Sequence, residues 1–252
     1  MIEIEKPREI IDEFVNIWGD IVVPLYGQVN SNINLDGIGS GFLVEHEGSI
    51  FLVTCHHVVE ALNRTDGAVG YFNGHGTGLS KLAFMGDCKE DVVVAHLDRE
   101  WAIRNGLEKV KALPLVKDIS GYEEAGYYFF MGYPCSKNKL KKNLKKFDRF
   151  LHAYSVSEKL DSSTKTTIGN YSAFTFDIYS MSDTREIPKR PPNLNGVSGG
   201  PLFSVLRSVS DTKTPKYALD LVGVFSEWWQ KENEIVCVNK SVVIESANHW
   251  LA

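Results

Sequence analysis

From residue 21 to residue 240 the sequence is a succession of short β-type runs, and this feature most limits the folds open to the chain. The linkers between the runs carry Gly, Asn, Asp and Ser, which favour turns. Almost no helical pattern lies between them, so the crossover helices that a parallel sheet requires are missing. The pattern predicts an antiparallel all-β fold of barrel or sandwich type. We expect twelve strands, at 21–29, 40–46, 49–55, 68–72, 81–85, 91–97, 127–133, 149–157, 172–180, 201–206, 218–226 and 234–240.

The strand signal is weakest at 115–126, and this gap predicts a boundary between two β units. The first unit spans 20–118 and the second 119–240, with six strands each. Two helices flank them. One, within 1–19, covers residues 7–18, where apolar side chains recur at three-to-four spacing. The other lies within 241–252, with Ser241 as its expected N-cap.

Composition excludes several functional classes. The chain of 252 residues has a net charge of −5, whereas a nucleic-acid binder usually carries a basic face. No apolar run approaches the roughly 18 residues of a membrane-spanning helix, so no membrane contact is expected. Charged residues interrupt every apolar step of the first 14 residues, unlike a secretory signal, and a cytoplasmic protein is therefore expected.

The four cysteines, Cys55, Cys88, Cys135 and Cys237, form no CxxC pair and no finger-like spacing. In a reducing compartment such cysteines are free thiols. The sequence therefore predicts no disulfide and no metal site.

A basic run, Lys137–Arg149, stands out on this acidic chain. One interpretation is a solvated loop or a short exposed helix. The other is a docking surface for an acidic partner. The sequence leaves both open.

Three separated segments carry residues that together suit nucleophilic catalysis. Residues 39–62 hold two strands and then His57, residues 91–98 begin with Asp91, and residues 195–205 place Ser198 in a glycine-rich turn. A serine at neutral pH needs a histidine as base, and the histidine needs a carboxylate to fix its tautomer. Glycines beside the serine allow backbone N–H groups, here those of Gly196 and Ser198, to converge on a developing oxyanion.

These segments resemble the trypsin/chymotrypsin-like serine proteases. The motifs are GSGFLV (39–44), VTCHH (53–57), DVVVAHL (91–97) and GVSGGP (196–201), with the bacterial-type MGYP at 131–134. The resemblance implies two six-stranded antiparallel barrels with the site between them. It implies Ser198 as nucleophile, His57 rather than His56 as general base and acid, and Asp91 as the orienting carboxylate.

The resemblance also assigns the substrate-binding residues. Gly196 and Ser198 would form the oxyanion hole, and the backbone of Ser226 would pair with the substrate as an extra strand. Pro192 would stand at the base of the specificity pocket, with Glu227 and Trp228 on its wall. Glu227 would attract a basic side chain, and Trp228 would narrow the pocket.

The sequence therefore predicts an intracellular serine endopeptidase that hydrolyses protein or peptide substrates through an acyl-enzyme, without metal or organic cofactor. By analogy, such an enzyme acts on one dedicated partner. The alternative is a catalytically silent binding module that keeps the protease fold. A third option is an esterase or acyl-transfer activity on small molecules with the same three residues.

Overall fold

A computed structural model of the chain describes residues 7–28, 35–72, 74–136, 151–159, 166–176, 193–209 and 216–252. Within these residues the protein has one eight-stranded sheet, one closed six-stranded barrel and four α-helices. The helices are α1 (Pro7–Trp18), α2 (His56–Asn63), α3 (Arg99–Arg104) and α4 (Lys240–Leu251).

The strands follow the chain in two groups. The sheet contains β1 (Val22–Gln28), β2 (Leu35–His46), β3 (Ser49–Cys55), β4 (Ala68–Phe72), β5 (His75–Gly78), β6 (Met85–Asp87), β7 (Val92–His96) and β8 (Leu113–Pro114). The barrel contains β9 (Tyr122–Gly132), β10 (His152–Glu158), β11 (Tyr171–Thr175), β12 (Pro201–Ser208), β13 (Tyr217–Trp229) and β14 (Glu234–Asn239).

The sheet departs from the expected six-stranded barrel. Its strands follow the order β5-β4-β1-β2-β3-β7-β6, β8 pairs in parallel with β2, and among the described residues no pairing joins β5 to β6. Strands β5 and β8 were not predicted from the sequence. A strand was also predicted at 81–85, where regular pairing instead begins at Met85. This half of the chain therefore has eight strands where six were predicted. Within the described residues, these strands do not close into a barrel.

The barrel agrees with the six strands expected for the second half of the chain. Its order is β10-β11-β14-β13-β12-β9, every neighbouring pair is antiparallel, and the ring is closed. Closure fixes the start of β12, where the loop of residues 193–200 is attached. Its interior is rich in aromatic side chains, including Phe130, Phe176 and Phe225. The proposed boundary between 118 and 119 remains a prediction.

The two terminal helices lie where the sequence predicted them. Helix α1 buries Ile11 and Phe14 in the larger core. Helix α4 buries Val243 and Ala247, but its N-cap is Asn239 rather than Ser241. No helix among the described residues is long and apolar enough to cross a membrane. The basic run 137–149 and the predicted strand residues 177–180 lie outside the described part of the chain.

All four cysteines are free, as the sequence predicted. Thiol titration of protein unfolded without reductant is therefore expected to find four reactive groups. In the native protein, exposed Cys88 should react first. Cys135 should react more slowly, because burial raises the pKa of its thiol to about 11. Finding two or no reactive groups after unfolding would contradict this prediction.

Candidate active site

His57 lies in the first turn of α2, directly after strand β3. Strand β3 pairs with β7 so that Cys55 faces Val92, which brings Asp91 next to the start of the helix. His57 Nδ1 lies 2.8 Å from Asp91 Oδ2 and 3.1 Å from Oδ1. The backbone N–H of His57 also donates to Asp91 Oδ1 at 3.0 Å. One carboxylate therefore fixes both the ring and the backbone of His57, which favours the tautomer with its proton on Nδ1.

Asp91 adopts a left-handed backbone conformation, with φ of 54°. Aspartate tolerates this region better than most residues, at a cost of about 1–2 kcal/mol. In this conformation the Asp91 carbonyl accepts from the N–H of His56 at 3.1 Å while the carboxylate meets His57. The strained residue thus binds two consecutive residues at the start of α2.

The carboxylate of Asp91 is held as an anion despite its burial. Burial opposes ionisation, but the hydrogen bonds and the charge of His57 and the hydroxyl of Ser226 outweigh it and lower the pKa of Asp91. The Ser226 hydroxyl donates directly to Asp91 Oδ2. The Asp91 side chain is 15% exposed and that of His57 is 48% exposed. The carboxylate is thus shielded while the imidazole remains accessible from solvent.

The glycine-rich loop that carries Ser198, residues 193–200, is fixed by hydrogen bonds from both β units. Ser40 of β2, fully buried, donates from its N–H to the carbonyl of Ser198 at 2.8 Å and from its hydroxyl to the carbonyl of Gly196 at 2.7 Å. The carbonyl of Asn195 accepts from the N–H of Cys135 at 2.7 Å. Gly196 has a φ of 92°, which an L side chain rarely adopts.

The N–H groups of Gly196 and Ser198 make no hydrogen bond to any described residue, whereas the carbonyls of both residues are occupied by Ser40. Both N–H groups are thus available to an oxygen of a bound molecule. The residue between them, Val197, is fully buried in the barrel core. The loop is therefore ordered by apolar packing at this position.

The hydroxyl of Ser198 donates to the carbonyl of Ser226 at 3.1 Å. It makes no hydrogen bond to His57 in the described structure. The sequence predicted that a base would lie in direct reach of this hydroxyl. The structure instead connects Ser198 to the pair of His57 and Asp91 through Ser226.

The predicted substrate-binding residues lie in different environments. Ser226 stands at a bulge in the pairing of β13 with β14, between Phe225, which faces Cys237, and Glu227, which faces Val236. Glu227 is half-buried and accepts from Nε1 of Trp229 at 2.7 Å. The ring of Trp228 meets Phe176 edge-on, with centroids 6.0 Å apart. Pro192 lies outside the described residues.

Cys55 adjoins the site and was not predicted from the sequence as one of its residues. Its thiol is fully buried and donates to the carbonyl of Phe225 at 3.3 Å. The donor atoms of Cys55, His57 and Asp91 all lie within 4.8 Å of one another, which makes this the candidate metal-binding group among the described residues. The only sequence signal was its position two residues before His57.

The hydrogen bonds of Asp91 predict a dependence of stability on pH. A carboxylate whose folded pKa lies below its unfolded value of about 3.9 contributes stability that is complete above that value and is lost as the pH falls through the folded pKa. The free energy of unfolding of the wild type should therefore exceed that of Asp91→Asn at pH 7, and the difference should shrink below about pH 4. Chemical denaturation across this range measures it.

The variant Ser226→Ala tests the cause, because it removes one hydrogen bond to the carboxylate. It should move the loss of stability to higher pH. A difference between wild type and Asp91→Asn that stays constant or grows as the pH falls would contradict the assignment.

Comparisons with known proteins give structural likenesses alone. No protein-family profile matches the chain, and no curated protein matches it. The serine protease domain of the Sesbania mosaic virus polyprotein is similar over 90% of this chain and 91% of its own, with 16% identity and a TM-score of 0.48. A protease of M. tuberculosis in its active form matches over 96% and 86%, with 12% identity and a TM-score of 0.49. The MamO protease domain of Magnetospirillum magneticum matches over 90% and 95%, with 14% identity and a TM-score of 0.47. Since these values are low, the function proposed for this chain rests on the geometry of its own site.

Proposed function

We propose that the chain is a serine endopeptidase of the chymotrypsin-like class, with Ser198, His57 and Asp91 as its catalytic triad. One observation carries the proposal: the exposed imidazole of His57 is oriented by the shielded carboxylate of Asp91, which Ser226 links to Ser198. These residues come from three distant segments of the chain. A packing role alone gives no reason for an exposed imidazole to be oriented by a shielded carboxylate beside a serine in a glycine-rich turn.

In the proposed reaction the Ser198 hydroxyl first leaves the Ser226 carbonyl and turns to Nε2 of His57. The substrate lies as an added strand along the part of β13 after Val224, where the pairing of β13 with β12 ends. It supplies a backbone N–H that takes over the Ser226 carbonyl. Substrate binding thus frees the nucleophile. This step gives the contact between Ser198 and Ser226 a role in the reaction.

Proton transfer then follows the usual course of acyl transfer. His57 takes the hydroxyl proton as Ser198 attacks the peptide carbonyl, and Asp91 stabilises the imidazolium. The N–H groups of Gly196 and Ser198 donate to the oxyanion. His57 protonates the departing amine, and water hydrolyses the acyl-enzyme by the same steps in reverse.

The substrate preference follows from the residues after Ser226. Trp228 narrows the proposed specificity pocket, whose base is assigned to Pro192. Glu227 attracts a basic side chain from the pocket wall, although its hydrogen bond with the Trp229 indole must loosen for direct contact. We propose a protein or peptide substrate, and proteolysis of a dedicated partner as the biological role.

A second candidate, a binding module without turnover, is favoured by one observation. The Ser198 hydroxyl is hydrogen-bonded to Ser226 and not to His57. If this bond persists when a peptide is bound, the protein would hold a peptide along β13 without cleaving it.

Digestion of a complex peptide library distinguishes the two candidates. Peptides with new termini should accumulate with the wild type and be absent with Ser198→Ala. Capture of intact peptides by both forms, with no new termini, would support the binding module and overturn the endopeptidase.

A further inference from the structure

We propose that Cys55, His57 and Asp91 form an inhibitory site for a thiophilic divalent cation of the zinc class. The inhibitory consequence rests on the proposed function. The binding itself does not, because it needs only the three side chains.

The donor set suits such a cation. A thiolate, an imidazole and a carboxylate are the three ligand types that zinc binds in proteins, and three protein ligands with one exchangeable position form a common arrangement. The three donor atoms already lie within 4.8 Å of one another, with Nδ1 and the carboxylate 2.8 Å apart. Tetrahedral bonds of about 2.0–2.3 Å separate the donors by roughly 3.3–3.7 Å. Small side-chain movements therefore suffice.

Charge and protons balance at this site. Asp91 supplies one negative charge, and the Cys55 thiol loses its proton on binding and supplies the second. Together they neutralise a divalent cation. His57 stays neutral: its Nδ1 proton gives way to the cation while Nε2 carries the ring proton. One proton is therefore released to solvent for each cation bound.

This exchange explains why the cation would inhibit. In the metal-free site the Nδ1 proton faces Asp91, which leaves Nε2 free to accept the Ser198 proton. With the cation on Nδ1 the ring holds its proton on Nε2 and cannot act as a base. The cation also takes the Asp91 oxygen that would stabilise the imidazolium.

The surroundings provide both an outer shell and a path of entry. The Ser226 hydroxyl donates to Asp91 Oδ2 and holds this ligand side chain in place. The Phe225 carbonyl accepts from the Cys55 thiol only in the metal-free site, because this hydrogen bond is lost when the thiol gives up its proton. The His57 side chain is 48% exposed, so a cation enters from the imidazole side.

The test is a titration of the reduced full-length protein with Co²⁺, followed by absorption. Thiolate coordination gives a charge-transfer band in the near ultraviolet, and tetrahedral Co²⁺ gives visible bands. We expect one equivalent of Co²⁺ and one released proton per chain. The thiolate band should vanish in Cys55→Ala, and the affinity of the protein for Co²⁺ should fall at least tenfold in His57→Ala. Both the bands and the affinity should be unchanged in His56→Ala and Cys88→Ala.

The matched controls separate this site from other donors. His56 adjoins His57 and lies outside the cluster, and Cys88 is exposed and could take up metal from solvent. Unchanged bands in Cys55→Ala, or no thiolate band with the wild type, would overturn the proposal.

A kinetic arm links binding to function. Zn²⁺ should inhibit peptide hydrolysis by the wild type and Cys88→Ala equally, and Cys55→Ala should need at least tenfold more Zn²⁺ for the same fractional inhibition. Hydrolysis without the thiolate band would overturn the metal site and leave the endopeptidase standing. The thiolate band with no hydrolysis would support the site and count against the endopeptidase.

Discussion

Replacing Ser198 by alanine is expected to lower kcat for peptide hydrolysis by roughly six orders of magnitude. The same loss is expected for His57→Ala, because serine and base act as a unit. Asp91→Ala should cost about four orders, since the imidazole keeps part of its function without its orienting carboxylate. Steady-state kinetics with one peptide substrate, together with thermal unfolding of each variant, separates loss of chemistry from loss of fold.

His56→Ala is the matched control for the histidine assignment. Its backbone N–H binds the Asp91 carbonyl, and alanine retains that N–H. We expect its kcat to fall less than tenfold. Equal losses for His56→Ala and His57→Ala, or a larger loss at His56, would show that the assignment of the base is wrong.

Alanine in place of Gly199 is expected to destabilise the fold by about 3 kcal/mol or more and to abolish activity. Gly199 has a φ of 88°, and a Cβ there would overlap the carbonyl oxygen of Ser40 and the hydroxyl of Thr54. Backbone and a buried hydroxyl cannot move aside cheaply. The loop that carries Ser198 would have to shift away from β2.

Gly126→Ala is the matched control, because it separates backbone conformation from collision. Gly126 has a similar φ of 77°, yet a Cβ there would meet nothing within 4 Å. Gly126→Ala should lower the free energy of unfolding by about 1–2 kcal/mol, which is the usual cost of a left-handed backbone for a residue with a Cβ. Chemical denaturation measures both variants. If both variants lost the same free energy of unfolding, the close contact of Gly199 with Ser40 and Thr54 would not be what requires glycine at this position.

Three candidate residues of the site could be chosen from the sequence because their chemistry goes with local patterns. A glycine-rich turn around Ser198, a histidine after a strand and an aspartate before another strand are visible in the chain itself. The structure brings His57 and Asp91 into contact, as expected. The hydrogen bond from Ser198 to Ser226 was not predicted, because the torsion of one side chain leaves no trace in sequence.

The supporting residues were harder to find because their roles depend on long-range contacts. Ser40 binds the carbonyls of Gly196 and Ser198, more than 150 positions away along the chain. Cys55 looks like any small core residue until the pairing of β3 with β7 sets it beside Asp91. Neither role follows from spacing.

Strands with a clear hydrophobic pattern were predicted from the sequence, and strands without one were not. Strands with strong alternation or long apolar runs, such as β3 and β7, were located within one or two residues. Strand β5 is rich in glycine and β8 is only two residues long, so neither has a pattern of its own. Both are defined by their partners. The apolar stretch at 81–85 forms no strand before Met85. Only the three residues of β6, Met85–Asp87, pair with β7.

Covalent labelling with a fluorophosphonate probe, followed by peptide mass analysis, tests the central claim most directly. Such a probe reacts with a serine only where a base activates the hydroxyl and donors stabilise the phosphoryl oxygen. The account predicts one adduct per chain, on Ser198, absent in Ser198→Ala and strongly reduced in His57→Ala. No adduct on folded wild-type protein, or an adduct on another residue that persists in Ser198→Ala, would contradict it.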